Sequence, residues 1–302
     1  MRQAAAKIMM VRPAHFGFDP STAITNSFQQ AEGAEQQHSI QQTAIDEFNE
    51  AVNTLRTHGV DVVVIDDTDE PKKPNAVFPN NWVSFHDGRV VLYPMLAENR
   101  RWERRVDLLD QLVDEGVPVD EIIDISKYEE DNKFLESTGS VVIDYENDLA
   151  YACLSSRTDR DVLDKLCEIN GYEPVLFESF NVEGVAVYHT NVVMCIASQY
   201  AVICAESIKE DQRFDVIRTL EETGHEVVEI TMEQMYHFAG NMLEVLDDAG
   251  KSTLIMSQTA YDSLSQFQID KLSGYSKIVT VQIPTIEKFG GGSVRCMMCR
   301  VA

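Results

Sequence analysis

Positive charge is scarce in this chain. Its 302 residues hold 25 lysines and arginines against 50 aspartates and glutamates, a formal charge of −25. A surface of that sign repels nucleic acid and anionic membrane, so neither is an expected partner, whereas small or cationic ligands are. Long apolar runs are missing too. The first apolar stretch, residues 8–11, is far too short for a signal-peptide core or a membrane span, and a soluble, cytoplasmic protein is expected. Cysteine is sparse and irregular, at positions 153, 167, 195, 204, 296 and 299, which excludes the regular framework of a small disulfide-stapled secreted domain. Nothing interrupts the chain as a linker would; Pro71-Lys72-Lys73-Pro74 reads as a turn. Residues 1–302 are therefore expected to form one domain with a substantial core.

What is present is a repeat. Helical periodicity recurs near residues 40–58, 98–116, 157–171, 209–224 and 258–274. Ile45, Phe48, Val52 and Leu55 mark one face of the first helix; Trp102, Val106, Leu109 and Val113 mark the second. Val162, Leu166 and Ile169 mark the third. A glycine suited to a C-cap closes each helix: Gly59, Gly116, Gly171, Gly224 and Gly274. An apolar strand follows every one, at 60–65, 121–125, 173–177, 226–230 and 277–283. Four hairpins come next: 82–85 with 90–93, 141–144 with 149–153, 192–196 with 201–204, and 242–246 with 252–256. The fifth unit reaches Ala302 before its outer strands form, and residues 8–12 supply a missing strand. Five units closed by the two chain ends predict an α/β ring of pseudo-fivefold symmetry, with an ordinary α/β sheet as the alternative.

In a ring, the loops after the unit strands share one central pocket. They carry Asn80 and Asn81, Glu136, His189 and Asn191, Asn241, and the final stretch Gly290-Gly291-Gly292-Ser293-Val294-Arg295-Cys296. Glycines without a Cβ allow close approach to a ligand, and Arg295 beside Cys296 favours a thiolate. Cys296 is thus a candidate nucleophile. A buried structural thiol, a redox pair with Cys299 or half a zinc site are the other readings. A redox motif needs structure after Cys299, and no second C-x-x-C or H-x-x-x-H accompanies the pair. A thiolate also needs an acid/base and a group that orients it. His189 and Glu136 are placed for these roles, although a hydrogen-bonded structural histidine and a loop-capping glutamate explain them equally simply. His237 is the rival histidine.

These motifs resemble the guanidino-group-modifying, pentein-fold superfamily over nearly the whole chain. The resemblance is to its deiminase-related branch of citrulline utilisation hydrolases, through Phe78-Pro79-Asn80-Asn81-Trp82, Tyr188-His189-Thr190-Asn191, Phe238-Ala239-Gly240-Asn241-Met242-Leu243 and Gly290 to Met297. It implies a five-bladed α/β propeller, with Cys296 as nucleophile, His189 as general acid/base and Glu136 as its carboxylate partner. Ser155-Ser156-Arg157-Thr158 resembles the deiminases' Ser-x-Arg-Thr, so Arg157 either contacts a substrate carboxylate or is structural. Two departures matter. Where deiminases hold the guanidinium between aspartates, this chain has Asn81 and Asn191. A guanidinium only donates hydrogen bonds and wants carboxylates, whereas a neutral ureido group carries a carbonyl that needs a donor. The substitution points to citrulline, unless Asp19 or Asp66 supplies the charge. Arginine deimination or dihydrolysis, amidino transfer and a non-catalytic ligand-binding ring are the alternatives. The implied chemistry requires no metal or organic cofactor. The oligomeric state stays open, a homo-oligomer included, and residues 13–39 form either a lid or a static wrap.

Overall fold

A computed structural model describes residues 1–301 and shows five three-stranded sheets of one design. In four of them an antiparallel hairpin is followed by a helix and then a third strand parallel to the hairpin's second strand. Their hairpins are Val83–His86 with Arg89–Leu92, Val142–Asp144 with Leu149–Cys153, Met194–Ile196 with Tyr200–Ile203, and Leu243–Leu246 with Ser252–Ser257. The third strands are Glu121–Asp124, Glu173–Phe177, Glu226–Glu229 and Lys277–Val281. The fifth sheet joins the two ends of the chain. Lys7–Arg12 lies between Asp61–Asp66, which it pairs in parallel, and the short strand Cys299–Arg300, which it pairs in antiparallel. The last unit therefore does form its outer strand, two residues long, where none was expected from the sequence. Apolar residues on both faces of Lys7–Arg12 suit its central place in that sheet, and Ile8, Met9 and Met10 are completely buried.

The glycine signals are confirmed where the backbone turns left-handed. Gly59, Gly116, Gly171 and Gly224 all have φ between 77° and 89°, a region costly for residues with a Cβ. Gly274 differs: it is right-handed at φ −68°. Asp87 and Gly88 both have positive φ, as a two-residue hairpin loop requires.

Two helices depart from the expected pattern. The stretch 98–116 divides into a 3₁₀ helix, Glu98–Glu103, and an α-helix, Asp107–Asp114. The change of period turns the face: Trp102, Val106 and Val113 are exposed, whereas Leu109 is buried as expected and is joined by Leu108 and Leu112. The stretch 258–274 breaks into Gln258–Ser263 and Gln266–Ser273, because Ser265 and Gln268 form a capping box that starts a second helix. Among the described residues, no helix is long and apolar enough to cross a membrane.

Before the first strand of each hairpin the chain makes a tight turn, helical in three sheets: Pro79–Asn81, Ser137–Ser140 and Thr190–Val193, with Val294–Met297 in the same position before Cys299–Arg300. This repeated turn delivers the polar residues of the site. The exposed and buried faces of Asp107–Asp114 give a direct check. Leu109→Ala should cost about 2–4 kcal/mol in urea unfolding, whereas Val113→Ala should stay within about 0.5 kcal/mol.

Candidate active site

The turns bring four of the five units together at a narrow cavity. Cys296, His189, Asn81 and Arg157 line it, joined by Arg100, Asn26, Asn75, Tyr188, Phe78 and the three glycines Gly290, Gly291 and Gly292. The glycines are there for space. A Cβ on Gly290 would sit 2.7 Å from the Phe78 ring. Gly291 has φ +64°, and a Cβ there would crowd Asn26 and Gln29.

Glu136 is the centre of the charged network. It precedes Ser137, whose left-handed φ of 43° turns the chain sharply, a strained conformation for a residue with a side chain. Glu136 is completely buried. One carboxylate oxygen accepts from the Leu96 amide at 3.2 Å, and the other meets His189 Nε2 at 2.8 Å and Arg157 Nη1 at 3.2 Å. Arg100 Nη1 stands 3.8 Å away. Burial by itself would raise the Glu136 pKa, but Arg157, the His189 hydrogen bond and Arg100 reverse this and hold it well below the usual carboxylate range. His189 responds in the opposite sense. Burial lowers it to about 4 despite the bond to Glu136, so the ring is neutral near pH 7. Its Nε2–H faces the carboxylate, which leaves Nδ1 as the basic nitrogen. That atom lies beside Gly139, where an added Cβ would fall 2.8 Å from it.

Cys296 receives two amide groups. Asn191 Nδ2 is 3.4 Å and Asn241 Nδ2 3.3 Å from its sulfur. The Asn241 orientation is secured from both ends: its oxygen accepts from the Arg295 backbone N–H at 3.1 Å, and its nitrogen also donates to the Asn191 carbonyl at 2.8 Å. Asn191 Oδ1 is buried with no partner among the described residues. Asn80 stands behind Asn81 rather than on the cavity, accepting from Asn81 Nδ2 at 3.0 Å. Cys299 belongs elsewhere: it packs with Trp82 and Val83, and its thiol, pushed up to about 12 by burial, faces the Val83 carbonyl. His237 is exposed and bonded to the Glu233 carbonyl.

The structure also answers where the acids lie. No carboxylate among the described residues lines the cavity. Asp66 is on the surface beside Arg12. Asp19 is buried, but behind Asn75: it accepts from Asn75 and Asn99 side chains, each at 2.8 Å. Arg157 is held on every side, donating to Glu136, the Thr22 carbonyl and Thr25 Oγ1 while stacking 5.0 Å from the Tyr188 ring. Residues 13–39 thus contribute Thr22 and Asn26 to the cavity wall. They are tied to the glycine loop through Asn26 Nδ2 to the Gly291 carbonyl at 3.1 Å and Gln29 Nε2 to the Phe289 carbonyl at 2.9 Å.

Arg100, Asn75 and Asn26 are absent from the sequence-based set. Arg100 lies in the stretch expected to be one amphipathic helix, off the apolar face marked by Trp102, Val106, Leu109 and Val113, and is buried on the 3₁₀ helix that forms there instead. The two asparagines lie in irregular segments without a period to place them.

Residues 12–302 match the model of the family described as N,N dimethylarginine dimethylhydrolase, eukaryotic. The chain belongs to that family. It is accordingly a member of the pentein superfamily of guanidino-group-modifying enzymes and a hydrolase of C–N bonds. Solved structures show the same fold. The N-terminal domain of ArgZ, an arginine dihydrolase from the ornithine-ammonia cycle in Cyanobacteria, solved with substrate as a Cys-to-Ser mutant, superposes with a TM-score of 0.76 at 18% identity, covering 98% of both chains. Unliganded AgrE gives 0.75 at 17% identity, over 98% of this chain and 39% of AgrE. A dimethylarginine dimethylaminohydrolase mutant, as its adduct with S-methyl-L-thiocitrulline, gives 0.67 at 17% identity over 98% and 99%. No curated protein matches the chain in sequence.

The depressed His189 pKa carries a stability consequence. The unfolded chain takes up this proton near 6.5 but the folded one only near 4, so stability present above 6.5 is lost as pH falls toward 4. His86, lowered to about 3 by burial and by Arg300 and Arg89, adds a loss of the same sign. Urea unfolding at pH 7, 5.5 and 4.5 should show the decline, and His189→Gln should make it shallower.

Proposed function

We propose that this protein hydrolyses the terminal C–N bond of a ureido compound, citrulline in the simplest case, to ornithine, ammonia and carbon dioxide. The five sheets are read as blades of one α/β propeller with Cys296 near its axis; the pairing of both chain ends within one sheet supports that arrangement. The observation that carries the substrate reading is the charge of the cavity wall: two arginines, three asparagines and no carboxylate among the described residues. A buried guanidinium there would be an uncompensated cation beside two others, at a cost of several kcal/mol (order of magnitude). A neutral ureido group avoids that cost, and its oxygen finds amide donors.

Cys296 attacks the ureido carbon, its thiol proton passing to His189 Nδ1. The carbonyl electrons shift onto oxygen, where the glycine-loop amides offer stabilisation. As the carbonyl re-forms, the terminal C–N bond breaks and His189 gives the proton to the leaving nitrogen, releasing ammonia. A thiocarbamate remains on Cys296. His189, held by Glu136, next takes a proton from water, whose oxygen attacks the same carbon and expels the thiol. The carbamate then loses carbon dioxide. Asn191 and Asn241, which point amide hydrogens at the sulfur, support it whenever it is anionic.

A second reading has its own support. The family match favours an enzyme that accepts a guanidino substrate, and the fold shared with an arginine dihydrolase favours one that removes both terminal nitrogens. Ammonia release measured with citrulline and arginine side by side separates the two. The proposal expects release from citrulline with ornithine as product, and abolition by Cys296→Ala with unchanged circular dichroism. Turnover of arginine alone contradicts the ureido reading, and activity surviving in Cys296→Ala contradicts the nucleophile.

A further inference from the structure

Ser293 opens the turn Val294–Met297 that carries Cys296, and its hydroxyl points away from that turn. The Ser293 backbone is extended, with φ −115° and ψ −166°. In that conformation a serine ordinarily caps the turn it begins, its oxygen accepting from the second or third N–H. Here no such bond forms. The hydroxyl is completely buried and donates instead to Glu287 Oε1 at 2.6 Å, a length typical of a hydroxyl bound to a carboxylate. The second N–H of the turn, that of Arg295, is left to Asn241 Oδ1 at 3.1 Å. Asn241 Nδ2 in turn reaches the Cys296 sulfur at 3.3 Å.

Glu287 lies on the helix Pro284–Gly290 and is 5% exposed. It does not line the cavity that holds Cys296, so it is not placed to touch a substrate. Burial raises its carboxyl above the ordinary value, and the hydroxyls of Ser293, Ser257 and Thr259 oppose that rise. A buried acid depends on such hydrogen bonds. Gly290, Gly291 and Gly292, between the two residues, carry no side chain to anchor the loop, and the Glu287–Ser293 bond spans it.

We propose that Glu287 is a positioning residue for the nucleophile: by holding the Ser293 hydroxyl away from the turn, it reserves the Arg295 N–H for Asn241 and keeps an amide hydrogen aimed at Cys296. The inference rests on Cys296 as the reacting thiol, as read above, and adds the residue that keeps its donor in place. Without the carboxylate, the hydroxyl rotates into the cap and competes with Asn241 for the same N–H. Asn241 then loses one of the contacts that orient it. The freed hydroxyl does the harm, so removing it should bring relief. A carboxylate that merely filled space would leave the Ser293 change without effect on kcat.

The test measures kcat, KM and the rate of Cys296 alkylation by iodoacetamide in wild type, Ser293→Ala, Glu287→Leu, Glu287→Gln and the Glu287→Leu/Ser293→Ala pair. The substrate is whichever of citrulline and arginine the wild type turns over. Glu287→Leu should lower kcat about 10-fold, the scale of one hydrogen bond, with KM within about 2-fold. Ser293→Ala alone should stay within about 3-fold of wild type, and added to Glu287→Leu it should recover most of the lost kcat. Glu287→Gln, which retains an acceptor, should remain close to wild type. Alkylation, read by mass spectrometry of the Cys296 peptide, needs no substrate and should follow the same order. An unaltered kcat in folded Glu287→Leu overturns the inference, and so does a kcat that Ser293→Ala fails to restore. Should Glu287→Leu not fold, Ser293→Ala still decides: a near-wild-type rate upholds the inference. A loss of about 10-fold overturns it, because the hydroxyl is then required rather than restrained. Activity surviving in Cys296→Ala removes the nucleophile reading itself, a failure distinct from these.

Discussion

A single buried carboxylate holds this site together. Glu136 is completely enclosed, and a charge in such a place is tolerable only when it is compensated. Its partners do so from three directions: His189, Arg157 and, more distantly, Arg100. Each comes from a different segment, so the ion cluster also fastens the segments to one another. Arg157 extends the tie to residues 22 and 25, the first of which forms part of the cavity wall. Breaking one member of such a cluster leaves the others uncompensated, which makes it costly well beyond the lost contact. Chemistry and architecture thus depend on the same interaction.

The electrostatic balance has a second effect. Glu136 and Glu103 are engaged by protein cations, so neither has capacity left for a cationic ligand. The remaining polar groups around Cys296 are amides. Asparagines at positions 81, 191 and 241 can donate and accept, yet the first and last are held in one orientation by neighbours that only donate. On the proposed reading, these oriented amides around the thiol suit a neutral, polar reacting group rather than a cationic one. Membership of a guanidino-modifying family does not conflict with this, because a guanidine and a urea differ at one heteroatom while the thiol chemistry on the central carbon is shared.

The periodic part of this fold was legible in the sequence. Glycines after helices, alternating hairpins and a five-unit count rest on local rules, namely positive φ, strand pairing and helix period, and the structure repeats them with small shifts. Cys296, His189, Asn81 and Arg157 meet at one cavity because each precedes a hairpin in its own unit or borders one. What was not legible lies where geometry is set by tertiary context. Trp102 has helical spacing but sits on a 3₁₀ turn, which rotates it to solvent and carries Arg100 inward. The strand Cys299–Arg300 is too short to announce itself and exists because Lys7–Arg12 offers it a partner. Asn26 and Asn75 reach the cavity from irregular segments held by side-chain bonds to distant residues. Asn80, in contrast, has the right neighbours in sequence but is turned behind Asn81, since adjacent residues in a tight turn cannot both face one side.

The central claim is that Cys296 attacks a neutral ureido carbon in this donor-walled cavity. Mass spectrometry of the Cys296 peptide after rapid acid quench of the wild-type protein turning over citrulline addresses it most directly, because the quench traps the thiocarbamate before water releases it. The account predicts a carbamoyl-type thioester on Cys296 that still carries the ornithine portion of the substrate. An adduct on another cysteine, or an amidino-type adduct formed from arginine with none from citrulline, would contradict it.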